Sequence, residues 1–348
     1  PADSARPSGA TSVGRVSTEP APTPARSAGA ATVLARSRGE LAVALADAPD
    51  PRAVVMTMGA LHEGHFDLVR EAARRVGPAG TVVVTIFVNP LQFAPTEDLD
   101  SYPRDLEGDL AGLTRTLTGV DGALSVGQLV VFAPTPEVIY PAGQPAVRID
   151  PGPIATVLEG RTRPTHFAGV CQVVLTLMHL TAPRWALFGR KDAQQLAIIE
   201  SMVRDLAVPL EIVPVDIRRE SDGLAMSSRN AYLSPEQRRQ ALALSRALQA
   251  GRDAAAQAAG SGTRLDPAAI RRAALASLEA ADGVEIDYVA LVDPAGFEDL
   301  TDAGLGLPRR APVHEDAGEG LPAVGLLAVA VRVGTTRLID NTLIDLHP

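Results

Sequence analysis

Two histidines, His62 and His65, are the side chains best placed to act near neutral pH, where imidazole changes its charge. They follow an apolar, Val-rich run that ends at Gly59, and they precede an amphipathic segment that carries Leu68 and Val69. This order predicts a strand, a tight turn and a helix start. At a helix start both rings would face the same way, beside unpaired N–H groups that suit phosphate.

The histidine pair alone leaves three interpretations open. The rings could be ordinary surface residues of a helix, they could contact a nucleotide, or they could bind zinc. H-E-x-x-H spacing is absent, and the single cysteine, Cys171, is too few for a thiolate site. Because Gly59 and Gly64 would let a ligand approach the backbone closely, the context favours a nucleotide.

A second strand–glycine–helix junction follows the apolar run Trp185–Phe188. After Gly189 comes Lys191, a cation suited to phosphate charge, and Gln195 lies one turn further on the same face. Farther along, a polar segment without helix or strand periodicity contains Met226–Arg229. Its two hydroxyls beside a guanidinium suit triphosphate oxygens, although such a string is also typical of an exposed loop.

Two amides, Asn89 and Gln92, follow the apolar strand predicted over Thr81–Val88. In open α/β sheets, ligands bind at the carboxyl ends of the strands. An amide can donate to a carboxylate and accept from a hydroxyl, so Gln92 suits a hydroxy acid. The alternative role for Asn89, which precedes a proline, is to make the turn.

Charged residues in two other segments have both functional and structural interpretations. Asp109, near the start of a helix predicted from about Asp105, could contact magnesium or could be a solvated helix-start acid. Arg161, Arg163 and His166 precede an apolar helix. They could bind a polyanion, or they could only cap and solvate the loop.

Composition excludes several classes of protein. The 348 residues predict about two domains. A net charge of −9 argues against a nucleic-acid partner, whose binding proteins carry basic surfaces. The lone cysteine excludes an intrachain disulfide and fits a reducing cytoplasm. No run of ~20 apolar residues predicts a membrane-spanning helix, so we expect no membrane partner.

Alternating strand and helix patterns predict an α/β fold with a parallel sheet. Residues 1–28 are rich in Pro, Ala, Ser and Thr without periodicity, which predicts a disordered tail. The Gly-containing stretches 112–127 and 302–321 are predicted to be insertions. Ser234 is predicted to cap a long helix over 236–255.

Six ordered blocks of the chain resemble the pantothenate synthetase (pantoate–β-alanine ligase) family, which belongs to the nucleotidyltransferase superfamily with the H-x-G-H motif. The blocks are MGALHEGH, FVNPLQF, LEGRTRPTHFAGV, FGRKDAQQL, DGLAMSSRNAYLS and AVRVGTTRLIDN. The resemblance extends from about Ser37 to Ile344, which is nearly the whole chain beyond the tail. Any one block could occur by chance, but all six in order make coincidence improbable.

The resemblance implies an enzyme of the coenzyme A pathway that works in two steps. Pantoate attacks the α-phosphorus of ATP to give pantoyl adenylate and pyrophosphate, and β-alanine then displaces AMP; Mg2+ accompanies ATP. The family has a Rossmann-like N-terminal domain and a smaller α+β C-terminal domain that closes over the nucleotide. We therefore expect an ATP- and pantoate-binding domain over 29–216, a C-terminal domain over 217–348, and a cytoplasmic homodimer with only small-molecule substrates.

The resemblance also implies roles for individual residues. His65 matches the catalytic proton donor, and His62, Lys191 and Arg229 are the other expected catalytic residues. Pantoate and β-alanine would be bound by Gln92 and Gln195, with Asn89 beside them. The residues expected to bind ATP are Met58, Gly59, Ala60, Leu61, His62, Glu63, Gly64, His65, Gly189, Arg190, Lys191, Asp192, Arg218, Met226, Ser227, Ser228 and Arg229.

Two departures from the family pattern bear on the site. Arg190 stands where the family typically has Glu, and Gly108 stands where some relatives carry another Asp, which weakens any metal assignment there. We assign no metal-binding side chain. The alternatives are a nucleotidyltransferase for another acid, which would not require Gln92 and Gln195, and a catalytically silent ATP-binding protein.

Overall fold

The computed structural model describes residues 31–93, 99, 102–261, 265–301 and 322–347. The predicted tail at 1–28 and the predicted insertion at 302–321 lie outside the described residues.

Strands and helices alternate through the first part of the chain, as predicted. The elements are β1 (Ala31–Ala35), α1 (Arg38–Ala46), β2 (Arg52–Thr57), α2 (Glu63–Val76), β3 (Thr81–Ile86), α3 (Leu106–Leu117), β4 (Gln128–Phe132), α4 (Pro136–Ile139), α5 (Glu159–Thr162), α6 (His166–Thr181), β5 (Trp185–Gly189), α7 (Ala193–Asp205) and β6 (Glu211–Val215).

The six strands form one parallel sheet in the order β1-β4-β3-β2-β5-β6. The chain runs outward from β2 through β3 to β4, and then returns to the other side of β2 to form β5. The direction of winding therefore reverses between β2 and β5, which pair at Val55 and Leu187. A crevice at such a reversal is where open α/β sheets bind ligands.

Helices cover both faces of this sheet, and neighbouring residues of each strand enter different cores. Val54 and Val83 pack in the core that includes α6, whereas Val55 and Val84 pack in the core that includes α2 and α3. A strand buried on both faces needs apolar residues at every position. The small Val-rich strands meet that need in a chain that is only 3% aromatic.

A smaller domain follows. It contains α8 (Pro235–Ala241), α9 (Ala243–Gly260), α10 (Pro267–Glu279), β7 (Glu285–Val292), β8 (Val324–Val333) and β9 (Thr336–Asp345). Its three strands form an antiparallel sheet in the order β7-β8-β9, and Leu248 and Ile270 of the helices pack with Val329 and Val331 of β8. The Rossmann-like domain followed by a smaller α+β domain confirms the predicted fold class.

Two local predictions were wrong. The first part of the stretch 112–127 is helical rather than a loose insertion, because α3 continues to Leu117 and Gly112 lies against Phe66. A Cβ at Gly112 would lie 2.5 Å from Phe66 Cζ, so this glycine serves helix packing rather than a loop. The helix predicted over 236–255 is divided at Leu242, where ψ is −12°.

Within the described residues, no helix is long and apolar enough to cross a membrane.

Candidate active site

The two histidines cap α2 with their own rings. His62 is the N-cap residue, and its Nδ1 accepts from Gly64 N at 3.2 Å, while His65 Nδ1 accepts from His62 N at 3.3 Å. A neutral imidazole that accepts at Nδ1 carries its proton on Nε2. The capping bonds therefore select one tautomer of each ring, with an Nε2–H donor left for other partners.

Both rings are held in the neutral form. Burial lowers the pKa of His65 to about 3, with further lowering by the neighbouring His62 ring and by the positive charge of Lys191, against the opposing effect of Asp192. Burial, followed by Lys191, also lowers the pKa of His62. At pH 7 the two residues thus present neutral N–H donors, and an anion brought against them would favour their protonation.

Protonation of His65 predicts a pH-dependent loss of stability. Below the ordinary pKa of 6.5, the unfolded chain binds a proton that folded His65 does not bind until about pH 3. As the pH is lowered below about 6.5, the free energy of unfolding should therefore decrease by up to about 1.4 kcal/mol per pH unit relative to a His65→Gln variant. Urea unfolding of both proteins from pH 7.5 to 4.5 would measure this difference. Parallel curves would contradict a neutral imidazole at His65.

Asp109 anchors the turn that leads to the histidines. Gly59 and Ala60 of this turn have φ values of 86° and 52°, and Asp109 accepts from Leu61 N at 2.7 Å and from Ala60 N at 3.1 Å. The Asp109 side chain is only 4% exposed, so it is not a solvated helix-start acid. Across the parts of the chain that the structure describes, no group of three or more acidic, His or Cys residues could hold a metal ion.

A buried amide network fixes Gln92 at the end of β3. Asn89 Oδ1 accepts from Tyr140 OH at 2.9 Å and Leu91 N at 3.3 Å, and its Nδ2 donates to Gly169 O at 3.0 Å and Gln92 Oε1 at 3.2 Å. Asn89 therefore uses both ends of its amide inside the protein. Its contact with Gln92 sets which way that second amide turns.

The backbone of Gln92 is held from α6. Arg163 donates to His166 Nε2 at 3.2 Å, so the His166 proton lies on Nδ1, which donates to Gln92 O at 3.1 Å. This close approach requires Gly169, because a Cβ there would lie 2.3 Å from Leu91 O. These hydrogen bonds favour the structural interpretation of Arg163 and His166, in which they hold the loop. Both residues also line the cavities described next.

Two cavities meet at the crevice. The histidine chamber, of about 280 Å³, is lined by His62, His65 and Gln92 among others. The interdomain chamber, of about 660 Å³, lies between the two domains and is lined by Gln194 and Arg337 among others. The residues that line both chambers are Arg163, His166, Lys191, Asp192, Gln195, Ser227, Arg229 and Tyr232.

Most of the residues predicted from the sequence meet in these chambers. Those that line the histidine chamber are Met58, His62, Gly64, His65, Asn89, Gln92, Gly189, Lys191, Asp192, Gln195, Arg218, Met226, Ser227, Ser228 and Arg229. Five described residues predicted to bind ATP do not line it, namely Gly59, Ala60, Leu61, Glu63 and Arg190. Glu63 forms an ion pair with Arg70 at 2.8 Å. Arg190, which stands where the family typically has Glu, forms an ion pair with Asp216 at 3.2 Å and does not line the chamber.

Positive charge concentrates where the chambers join. Burial opposes ionisation of Asp192, but the positive charges of Lys191 and Arg229, with smaller effects of His166 and Arg163, lower its pKa overall. This acidic protein thus places several cations around one point of the crevice. Such an arrangement suits a polyanion such as a triphosphate.

Contacts between the domains were not predicted. Glu159 of α5 forms a two-pronged ion pair with Arg337 of β9, at 2.6 and 2.7 Å, and accepts from Tyr288 OH at 2.9 Å. Asn341 of β9 donates to the backbone of the turn that carries Lys191. All but Tyr288 lie in blocks that carry the family resemblance, but sequence spacing gave no sign that they meet.

Comparison with known proteins supports the family that these blocks resemble. The family model described as pantoate-beta-alanine ligase matches residues 35–343. The pantothenate synthetase of Nocardioides sp. is 49% identical over 317 residues, covering 89% of this chain and 85% of that protein. Pantothenate synthetase 4 of Frankia alni is 53% identical over 290 residues, covering 83% and 82%.

Solved structures of the same family also superpose on this chain. The pantothenate synthetase of Thermus thermophilus superposes with a TM-score of 0.73 at 40% identity, covering 91% of this chain and all of that one. The pantoate-beta-alanine ligase of Francisella tularensis, solved with beta-gamma ATP and beta-alanine, has a TM-score of 0.64 at 27% identity, covering 90% and 98%. Because one family model matches most of its length and its relatives are about half identical in sequence, this chain belongs to the pantoate–β-alanine ligase family.

Proposed function

We propose that the two joined chambers bind ATP and pantoate together and carry out ligation through a pantoyl adenylate. The observation that carries this proposal is that two kinds of polar group line one crevice. Imidazole N–H donors, Lys191 and Arg229 suit a triphosphate, whereas the amides of Gln92 and Gln195 suit a small hydroxy acid. The Francisella relative, which was solved with beta-gamma ATP and beta-alanine, supports the same substrates here.

In the first step a pantoate carboxylate oxygen bonds to the α-phosphorus of ATP, and the bond to the β-phosphate oxygen breaks, so that pyrophosphate leaves. In the second step the β-alanine amine bonds to the pantoyl carbonyl carbon, AMP leaves with the C–O bond electrons, and the amine loses a proton. Positioning and charge stabilisation account for most of such catalysis. A covalent enzyme intermediate is not needed, and the lone Cys171 is buried in α6 and lines neither chamber.

Mg2+ belongs to this proposal as a companion of ATP. Because Mg2+ is commonly held by one or two carboxylates together with substrate phosphates, an all-protein cluster is not required. We assign no protein ligand to it. A cytoplasmic homodimer with a domain boundary near 216/217 is likewise proposed from the family resemblance.

The proposed adenylate is tested by isotope exchange. The protein with ATP, Mg2+ and pantoate, but without β-alanine, should move labelled pyrophosphate into ATP. Pantothenate synthesis without this exchange would contradict a reversible adenylate step. Release of ADP would overturn adenylation altogether, and ATP binding without either reaction would indicate a catalytically silent protein.

Replacing Gln92 with alanine should weaken the use of pantoate far more than that of ATP. A hydrogen bond to a charged group contributes about 1.5–3 kcal/mol, so the KM for pantoate should rise about 10–100-fold. The KM for ATP should change by less than about threefold, because the groups proposed to bind the triphosphate are cations and imidazoles, whereas Gln92 is a neutral amide held by Asn89 in the turn after β3. The exposed Gln249 of α9 provides a matched Gln→Ala control. An equal rise in KM for pantoate and for ATP would contradict the placement of Gln92 against pantoate.

A further inference from the structure

The turn that carries Lys191 is held by the other domain. Arg190–Asp192 is a single 3-10 turn, and among the described residues neither it nor the start of α7 has a side-chain N-cap. Asn341 of β9 holds this turn by its carbonyl groups instead, because its Nδ2 donates to Arg190 O at 3.0 Å and to Lys191 O at 2.9 Å. Asn341 is 6% exposed, so both hydrogen bonds are shielded from water.

The preceding residue holds the second cationic segment. Asp340 accepts from both terminal nitrogens of Arg219, at 2.7 and 3.0 Å, and also from Asn341 N at 2.8 Å. Arg219 belongs to the turn that leads into Met226–Arg229, and it donates to Gly223 O at 3.1 Å within that turn. Adjacent residues of one strand therefore fix both segments that bring cations to the junction of the chambers.

We propose that Asp340 and Asn341 are positioning residues that set Lys191 and Arg229 at the spacing a bound triphosphate requires. This inference rests on the proposed role of Lys191. The lysine side chain is long and flexible, so its reach depends on where its backbone is held. Misplacement of a binding group by about 1 Å can cost about 100-fold in rate, which gives two backbone hydrogen bonds a large functional effect.

Asn341→Leu removes both donors at similar volume, and Asn341→Asp keeps the shape but replaces the donors with an acceptor. Both should lower kcat/KM for ATP by about 10–100-fold, and Asp340→Asn should lower it by a smaller factor. Thr342→Val is the matched control, because Thr342 is the next buried polar residue of β9 and accepts from Arg252 Nε at 2.9 Å within the C-terminal domain. It should lower Tm as much as Asn341→Leu but leave kcat/KM for ATP unchanged.

A double-mutant cycle distinguishes positioning from general destabilisation. If Asn341 acts through Lys191, Asn341→Leu should change kcat/KM for ATP by less than about threefold in a Lys191→Met background. Multiplicative losses would overturn the inference, as would normal ATP kinetics in folded Asn341→Leu and Asn341→Asp. Normal kinetics of Lys191→Met alone would instead overturn the proposed function of Lys191. If Asn341→Leu fails to fold, kcat/KM for ATP in Asn341→Asp and Asp340→Asn tests the inference instead.

Discussion

Replacement of His65 with alanine is expected to lower kcat by about 10²–10⁴-fold, the range for lost acid–base or charge-stabilising groups. The His65 ring accepts a backbone bond at Nδ1 and so retains an Nε2–H donor, and it lines the histidine chamber beside His62. A donor fixed before the reaction needs no reorganisation as charge develops on the phosphate. Alanine removes that donor and leaves the chamber open to water.

The same substitution also removes a helix cap, which must be separated from the kinetic effect. Loss of a cap costs about 0.5–2 kcal/mol, which should appear as a lower Tm. His179→Ala is the control, because His179 is exposed on α6 and its Nδ1 contacts the carbonyl of Leu175 in its own helix, at 2.9 Å. Near-normal kcat in folded His65→Ala protein would contradict the assignment.

Features encoded by neighbouring residues could be predicted from the sequence. The strand–turn–helix at His62 depends on an apolar run, a glycine and a helix start that lie together in the chain. The cap at Ser234 was predicted for the same reason, since Ser234 Oγ accepts from Gln237 N at 3.2 Å, three residues away. Such features need only local geometry and hydrogen-bond chemistry.

Features that depend on distant residues could not be predicted. Asp109 looked like a possible magnesium ligand because its partners, Ala60 and Leu61, belong to another element. Asn89 lines the histidine chamber, but the sequence gave no sign of its partners Tyr140 and Gly169, which lie far along the chain. In each case the residue type predicted a polar role, but only the packing of α3 and α6 against the sheet determined the partner.

Replacement of Lys191 with methionine is expected to lower kcat/KM for ATP by about 10²–10³-fold. Lys191 lines both chambers, and its charge acts on its surroundings, because it lowers the pKa of His62 and that of the neighbouring Asp192. Methionine keeps much of the length of the side chain but removes the charge. The loss should therefore report charge stabilisation of the triphosphate rather than a change in packing.

The neighbouring cation supplies the control. Arg190 is the preceding residue, but its side chain forms an ion pair with Asp216 at 3.2 Å. Arg190 is not among the described residues that line the two chambers. Arg190→Met should therefore change kcat/KM for ATP by less than about threefold, because an exposed ion pair contributes little. In Lys191→Met, NMR titration should show a higher pKa for His62 than in the wild type. Equal losses in the two variants, with no change at His62, would mean that net charge near the crevice matters and the position of Lys191 does not.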